Sequence, residues 1–385
     1  MRVSVISSAL VAALVGYGST IALVLAAAQA LGATPAQTES WIFAICLAKA
    51  TGSALLSGWK RIPVVLAWST PGAALIAGSH GIGMAEGVGA FVLTGAMIAL
   101  TGLVRPIEQV VARIPAQTAA AMLAGVLLPF CLKVPPVAVT QPHLVLPIIA
   151  VFALVRLVSP SFAVLAALAT GLALTFGQGT PLPHMPEHLP HLAFIRPDWS
   201  MAAAIGLAVP LYLVTMASQN LPGFAVLRGA GYTPPVREAL TVSGTLSAIA
   251  GLFGAHTINM AAITASICLS EDAHPDQSRR WQVAIAYALV WVGLGIAGPL
   301  LVAGIAAAPG ALVTTVAGLA LIGPLMGALS GAFADGSGRF PAAVTLMVAA
   351  SGVSAFGVGG AFWGLLAGLA AGLLEGLGAH ILRRA

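Results

Sequence analysis

Two short stretches place hydrogen-bonding side chains and helix-breaking residues inside otherwise apolar runs. Residues 64–77 read VVLAWSTPGAALIA, and residues 251–268 read GLFGAHTINMAAITASIC. Positions 70 and 258, near their centres, are 188 residues apart, about half of the 385-residue chain. An unbroken helix in lipid would not have this composition, because backbone groups left unpaired at a break must be covered by protein or face a cavity. We therefore predict two paired broken helices whose half-helix ends face each other and form a binding site.

The predicted breaks suit the binding of an anion. Pro71 fits the first turn of a helix because its missing N–H would have no partner there, and Ser69 or Thr70 fits the capping position. In the second stretch, Thr257 or Asn259 would cap the following half-helix. Each half-helix N-terminus carries free N–H groups and about +0.5 of a charge. Two of them directed at one cavity favour a carboxylate or similar anion. The alternative is two kinked helices with polar caps and no ligand.

Other polar residues of the apolar runs would complete this cavity by hydrogen bonds. Contacts between helices are the alternative role for such side chains, since small hydroxyl residues are common there. Trp68 fits stacking on an aromatic ring or, alternatively, an anchor at the membrane interface. The residues predicted to bind a substrate are Tyr17, Ser19, Thr20, Trp68, Ser69, Thr70, Gly72, Gln219, Asn220, Thr257, Ile258 and Asn259.

The composition of the whole chain indicates an integral membrane protein. It is 59% hydrophobic and 7% charged, with a mean hydropathy of +1.01, whereas soluble domains carry about 25% charged residues. Continuous apolar runs indicate helices and exclude a porin-type barrel, in which polar and apolar residues alternate. Cysteines 46, 131 and 268 match no metal or disulfide framework, so we expect buried thiols and no metal or cofactor.

About fourteen membrane spans follow from the apolar runs, given that a helix needs about 20 residues to cross a bilayer. The third and tenth are the broken ones. The spans lie near 4–31, 39–58, 63–77, 85–104, 115–132, 143–157, 160–177, 200–219, 237–253, 255–269, 281–304, 311–331, 341–357 and 359–380.

The longest polar loop, residues 178–198, divides these spans into seven and seven. An odd number of spans in each half turns the second half upside down, which is the inverted repeat common in secondary transporters. The predicted repeats are residues 1–190 and 191–385. With both termini inside, thirteen of the sixteen basic residues fall at inside positions, as the positive-inside rule requires.

The mid-chain loop also carries a histidine cluster, PLPHMPEHLPH at 181–191. The spacing of His184, His188 and His191 would hold a metal only on a helix. Pro186 and Pro190 argue against a regular helix, so we expect a solvated outer loop.

Four motifs resemble the benzoate/proton symporter family of the BenE type, and the similarity covers essentially the whole chain. They are GYGSTIALVLAAAQALGAT (16–34), AWSTPGAALIA (67–77), GLFGAHTINMAAITASIC (251–268) and AHPDQSRRW (273–281). This family is itself similar to nucleobase–ascorbate and anion-exchanger transporters. The resemblance implies a core domain of spans 1–4 and 8–11, a gate domain of spans 5–7 and 12–14, and an elevator-like motion of core against gate. It also implies a homodimer in a bacterial inner membrane, and no nucleic-acid partner.

One departure from the nucleobase transporters bears on the substrate. Those proteins tend to have a glutamate in the eighth span and another in the tenth. Matching GLFG to GLFG places the tenth-span position at Ile263, and the eighth-span position falls near Ser218 or Gln219. Nucleobase N–H groups need carboxylate acceptors, whereas an anion is repelled by them. The missing carboxylates therefore fit benzoate and argue against uracil or xanthine.

These observations predict import of benzoate or a similar aromatic carboxylate together with protons. Moving an anion inward against the membrane potential costs about 2.3 kcal/mol per 100 mV, and an accompanying proton removes that cost. The alternatives are transport of another small organic or inorganic anion, or an exchange mode. No set of acid–base or nucleophilic residues indicates an enzyme, and no ring of charged residues indicates a channel.

Three ionisable residues in the predicted spans are proton-coupling candidates. His256 lies at the second break and titrates near neutral pH; alternatively it stays neutral and binds exposed backbone. Lys49 and Glu375 lie at membrane depth, where ionisable residues are functional hypotheses by default. Lys49 would otherwise snorkel or bind a backbone carbonyl, and Glu375 would otherwise lie at the inner interface. A proton carried on the substrate itself is a further alternative.

Overall fold

A computed structural model describes residues 2–104, 115–177, 188–334, 336, 338–355 and 358–382. This part of the chain is mostly helical and includes two short two-stranded sheets. The helices are α1 (Val3–Ala30), α2 (Pro35–Lys60), α3 (Thr70–Ala77), α4 (Met84–Leu103), α5 (Ala116–Leu132), α6 (Val134–Thr140), α7 (Pro142–Val158), α8 (Pro160–Gly177), α9 (Met201–Gly229), α10 (Val236–Gly251), α11 (Ile263–Leu269), α12 (Trp281–Ile296), α13 (Gly298–Ala306), α14 (Gly310–Ala332), α15 (Arg339–Ala350) and α16 (Gly360–Leu382). The strands are β1 (Leu66–Trp68), β2 (Ile258–Met260), β3 (Ser354–Ala355) and β4 (Val358–Gly359).

Six of the described helices are long and apolar enough to cross a membrane. They are α1, α2, α4, α9, α14 and the consecutive pair α5–α6. The helix pair α12–α13 is bent by 52°, and it is a seventh candidate membrane span if the pair counts as one span. The remaining apolar helices are shorter, and each coincides with one of the predicted spans. The chain is thus a mostly helical membrane protein, as predicted.

The two predicted breaks are present, and they pair with each other. Strand β1 pairs antiparallel with β2, with Ala67 opposite Asn259. Backbone bonds extend the ladder on both sides: Ser69 N donates to Thr257 O at 3.0 Å, and Ala261 N donates to Val65 O at 2.9 Å. Pairing in this way satisfies backbone groups that would otherwise be unpaired inside the membrane.

The half-helices that follow the two strands begin differently. Ser69 caps α3 by accepting a bond from Gly72 N at 3.1 Å, as predicted. The prediction that Thr257 or Asn259 caps the second half-helix is wrong. Asn259 belongs to β2, whose pairing with β1 keeps the chain extended to Met260, so that α11 begins only at Ile263, without a side-chain cap.

The eighth span is longer than predicted, because the helix passes through Pro222 and ends at Gly229 instead of residue 219. A proline lacks an N–H, and its ring clashes with the carbonyl one turn earlier. The turn at Met216–Asn220, which ends two residues before Pro222, is widened to a π-helix, and this accommodates the ring without ending the helix. Wide turns of this kind are frequent at functional sites.

The helices pack in two sets. In one, α4 packs on α10 and α12 on α2, and α1 and α9 pack against these helices and the half-helices. Small residues bring α4 and α10 very close, since a Cβ at Gly244 would lie 2.7 Å from the Ala99 Cα. In the other set, α5 packs on α14, α15 on α16, and α7 on α8. The paired strands and their half-helices belong to the first set and face the second.

Candidate binding cavity

A cavity of about 820 Å³ lies between the two sets of helices. The first set contributes both broken segments, and the lining residues there include Thr20, Lys49, Trp68, Thr70, Pro71, Ser218, Gln219, Ala262, Ile263, Thr264 and Tyr287. The second set contributes one charged residue, Arg156, and otherwise mainly apolar residues, among them Met122, Leu123, Phe152, Val164, Leu319, Pro324 and Leu365. Of the described residues that line the cavity, two are cationic and none is acidic. The lining therefore favours an apolar anion.

The start of α11 supplies hydrogen-bond donors to this cavity. The first bond within the helix runs from Ser266 N to Ala262 O at 3.1 Å. The N–H groups of Ile263, Thr264 and Ala265 therefore have no acceptor within the helix and need partners from elsewhere. Ala262, Ile263 and Thr264 line the cavity, so that a ligand in the cavity is placed to accept from them.

Lys49 is buried among aromatic rings. Its Nζ lies 3.0 Å from the centroid of the Trp291 ring, 4.4 Å from that of Trp68 and 5.9 Å from that of Tyr287. The side chain is 1% exposed, and none of the described carboxylates lies within ion-pair distance of it. Ring faces attract a cation, but a buried charge without a counter-ion is costly. An anion in the cavity would lower that cost.

Three of the predicted residues in the first half hold this aromatic group in place. Trp68 Nε1 donates to Thr20 Oγ1 at 2.7 Å, and both residues line the cavity. Tyr17 is buried behind them, with its ring centroid 5.6 Å from those of Trp68 and Trp291. The hydroxyl-bearing Ser19 lies in α1, and its side chain is outside the described part of the structure.

Other predicted residues join the two breaks to α9 and are not among those that line the cavity. The Ser69 and Thr215 hydroxyls lie 2.9 Å apart, and the Thr215 and Thr257 hydroxyls 3.2 Å apart. Gly72 allows α3 to approach α9, since a Cβ there would lie 2.5 Å from the Leu211 Cδ1. These contacts fix the position of the half-helices relative to the wide turn of α9.

The amide side chains near the second break are also connected. Asn220 Oδ1 accepts from Met260 N at 2.9 Å, and Asn259 Nδ2 donates to Gln219 Oε1 at 3.4 Å. The backbone N–H of Ile258 donates to Ser247 Oγ at 2.9 Å. Within this group only Gln219 lines the cavity. Because its Oε1 accepts from Asn259, its Nε2 is the group left to face a ligand.

The three proton-coupling candidates have different surroundings. His256 is fully buried; its Nδ1 accepts from Trp41 Nε1 at 3.0 Å, and its Nε2 lies 3.2 Å from Ser69 O. We assign the proton to Nε2 on this pattern. Both ring nitrogens thus bind protein groups. This matches the alternative in which His256 stays neutral and binds the backbone exposed at the break. Glu375 is exposed on α16. Lys49 is the candidate that lines the cavity.

The histidine loop lies largely outside the described residues, which begin again at residue 188. His184 and Glu187 belong to the part that is not described. His188 Nε2 lies 3.0 Å from Glu39 Oε2, and the ring centroids of His188 and His191 are 6.4 Å apart. No group of three metal-ligating side chains occurs in the described part of the chain.

Several cavity residues were not predicted from the sequence. Arg156 is one of the thirteen basic residues at predicted inside positions, near the end of the span 143–157, whereas Tyr287, Phe152 and Leu319 lie in apolar spans without a distinguishing signal. Ile263 and Ser218, identified as positions without a glutamate, both line the cavity. Ile263 is 70% exposed despite being apolar, and that exposure is to the cavity.

The fold is that of integral-membrane transporters. The structure is similar to the transmembrane domain of a cyanobacterium bicarbonate transporter, BicA, with a TM-score of 0.62 and 13% identity over 96% of this chain and 98% of that one. It is also similar to the overall structure of SLC26A9, with a TM-score of 0.63 and 11% identity over 96% of this chain and 65% of that one. At such identities these similarities establish the fold alone.

The sequence identifies the family. Residues 1–374 match the model described as BenE, Benzoate membrane transport protein, and the chain belongs to this family. It is 39% identical over 359 residues to the Inner membrane protein YdcO of Escherichia coli, covering 93% of this chain and 92% of that protein. It is 32% identical over 363 residues to a Benzoate membrane transport protein of Acinetobacter baylyi, covering 94% and 92%. The predicted family is confirmed, and the chain is a multi-pass membrane transport protein and not an enzyme.

Proposed function

We propose that this protein is a secondary active transporter that imports benzoate or a similar aromatic carboxylate together with one or more protons. The observation that carries the proposal is the charge of the cavity lining. Among the described residues that line the cavity, Lys49 and Arg156 are cationic and none is acidic. A site with that charge balance favours an anion. A bacterial inner membrane with both termini in the cytoplasm is the proposed location.

The carboxylate is proposed to bind at the start of α11, near Lys49. Thr264 contributes a free backbone N–H, Gln219 an amide Nε2 and Lys49 an ammonium group, and all three residues line the cavity. Hydrogen bonds to a charged acceptor are each worth about 1.5–3 kcal/mol. The aromatic ring of the substrate would then contact the apolar side, where Phe152 and Ile263 lie.

Lys49 is the proposed proton carrier. A carboxylate bound near its ammonium group and the proton on that group stabilise each other, so the anion and the proton bind together. His256 is proposed to position the first break, because its ring nitrogens bind Trp41 and Ser69. Glu375, which is exposed on α16, is a weaker alternative as the proton carrier. Transport of the proton on the substrate itself is the other alternative.

The proposed architecture is a seven-plus-seven inverted repeat of residues 1–190 and 191–385. Its support is a packing pattern that is the same in the two halves: it repeats when each span of one half is replaced by the corresponding span of the other half, seven positions away. The contact of α4 with α10 then corresponds to that of α12 with α2, and the contact of α7 with α8 to that of α15 with α16. We propose that the first set of helices is the core, that the second is the gate, and that transport is an elevator-like movement of the core in a homodimer.

Uptake of labelled benzoate into proteoliposomes tests the proposal. With the acidic solution outside, we expect accumulation that a protonophore abolishes and that empty liposomes do not show. Uptake that is indifferent to the pH gradient would exclude symport. Competition by excess bicarbonate or chloride as strong as that by unlabelled benzoate would favour the alternative, a transporter of another small anion. Accumulation that requires an anion inside the vesicles would favour exchange.

A further inference from the structure

Arg156 is the second cation of the cavity, and it lies on the wall opposite the proposed carboxylate site. It belongs to the last turn of α7, in the second set of helices. Its Nη2 lies 3.8 Å from Met326 Sδ, and its Cζ lies 5.9 Å from the centroid of the Phe152 ring. None of the described carboxylates lies within ion-pair distance of it.

These partners leave the hydrogen-bonding capacity of Arg156 largely unused. A guanidinium has five N–H donors, and a thioether sulfur is only a weak acceptor. The planar donor pair of a guanidinium matches a carboxylate, which it binds in bidentate fashion. Arg156 is therefore a ready carboxylate-binding group in a wall that is otherwise apolar, with Phe152 beside it for an aromatic ring.

The two cations differ in burial. Lys49 is 1% exposed, whereas Arg156 is partly exposed. A cation near the opening of a cavity attracts anions from solution and raises the rate of association. A fully buried cation acts only after the anion has lost its water.

We propose that Arg156 is a capture site at the end of the cavity that the proposed topology places toward the cytoplasm, and that a carboxylate entering or leaving on that side binds it on the way to or from the site at α11 and Lys49. The inference rests on the proposed function, because it takes an aromatic carboxylate as the substrate. Capture at Arg156 governs the association rate constant, and the inner site governs the dissociation rate constant.

Stopped-flow fluorescence of the purified full-length protein measures both rate constants. Trp68 lines the cavity, and the ring of Trp291 contacts that of Trp68. Benzoate binding is therefore expected to change tryptophan fluorescence. We would compare the wild type with R156Q and R156K, and with R228Q as the matched control. Arg228 is an exposed arginine at the end of α9 and is not among the residues that line the cavity.

At low ionic strength R156Q is expected to lower the association rate constant about tenfold and to leave the dissociation rate constant within about twofold. R156K should restore much of the rate, and R228Q should match the wild type. The difference between R156Q and the wild type should shrink as salt is added, since salt screens exposed charges. Equal melting temperatures would show that the variants are folded.

Two results would overturn the inference while the proposed function stands. One is an R156Q association rate and salt dependence equal to those of the wild type. The other is an unchanged association rate with faster dissociation, which would place Arg156 in the inner site. If R156Q does not fold, an association rate of the wild-type protein that is independent of salt would likewise overturn the inference. Absence of any benzoate binding by the wild type would overturn the proposed function and this inference together.

Discussion

The two broken spans have the same plan but differ at the start of their half-helices. In the first, Ser69 accepts a hydrogen bond from Gly72 N, and Pro71 has no N–H to satisfy. In the second, α11 follows Ala262 without a side-chain cap, and Ile263 is exposed to the cavity. The first break therefore satisfies the N–H of Gly72 within the protein, whereas the second has no side-chain cap for the N–H groups at the start of its half-helix. Under the proposed function, the first segment is structural and the second binds the anion.

The largest expected effect comes from placing a charge at the uncapped break. Ile263→Glu should weaken benzoate binding at least about 100-fold, because juxtaposed like charges cost several kcal/mol. Ile263→Gln, of similar size and neutral, should weaken it far less. Isothermal titration calorimetry on both variants measures the difference. Equal losses in the two variants would show that Ile263 acts through packing and that the carboxylate does not bind at α11.

Removing the buried cation should have the next largest effect. Lys49→Met keeps the length of the side chain, and we expect a loss of about 10- to 100-fold in benzoate affinity, the value of one charge-assisted hydrogen bond. Uptake by this variant should also lose its dependence on the pH gradient. Proteoliposome uptake at several outside pH values measures this. A variant that retains wild-type pH dependence would remove Lys49 as the proton carrier.

His256 tests whether the first break is structural. His256→Gln removes at least one of the bonds to Trp41 and Ser69. Leaving a buried group without its partner costs about 1–3 kcal/mol, so the variant should melt at a lower temperature. We expect uptake by the folded protein to keep its dependence on the pH gradient. Loss of that dependence at normal stability would instead make His256 the proton carrier.

The smallest and most direct test exchanges the caps. Ala262→Ser supplies a capping hydroxyl to α11, which is worth about 1 kcal/mol to a helix. Since that hydroxyl competes with the ligand for the same N–H groups, benzoate affinity should fall about fivefold while thermal stability is unchanged or higher. Ser69→Ala, at the corresponding position of the first break, should lower stability and affect affinity little. The opposite pattern would assign the anion to α3.

The sequence predicted the breaks well, because proline, glycine and polar residues within apolar runs have few places in a membrane helix. It did not predict where the second half-helix begins. Asn259 is a good capping residue by type, yet its backbone pairs with Ala67, and that pairing depends on a segment nearly 200 positions away. The end of the eighth span was missed for a related reason, since a wide turn before Pro222 has no simple sequence signal.

Of the predicted site, Thr20, Trp68, Thr70, Gln219 and Lys49 line the cavity. Ser69, Thr257 and Asn220 instead bind other parts of the protein. Residue type cannot separate these roles, because a hydroxyl or amide that binds a ligand and one that joins two helices look alike in the sequence.

The sequence by itself determined the family, the positions of the helices and the location of both breaks. The family follows from its motifs. The helices and the breaks depend on local composition, since crossing a bilayer demands about 20 apolar residues and an interruption demands residues that can leave the helix. Only the tertiary structure placed Lys49 against the Trp291 ring, bound His256 between Trp41 and Ser69, and brought Arg156 to the same cavity. These contacts join residues far apart in the chain, and their formation depends on how whole helices pack.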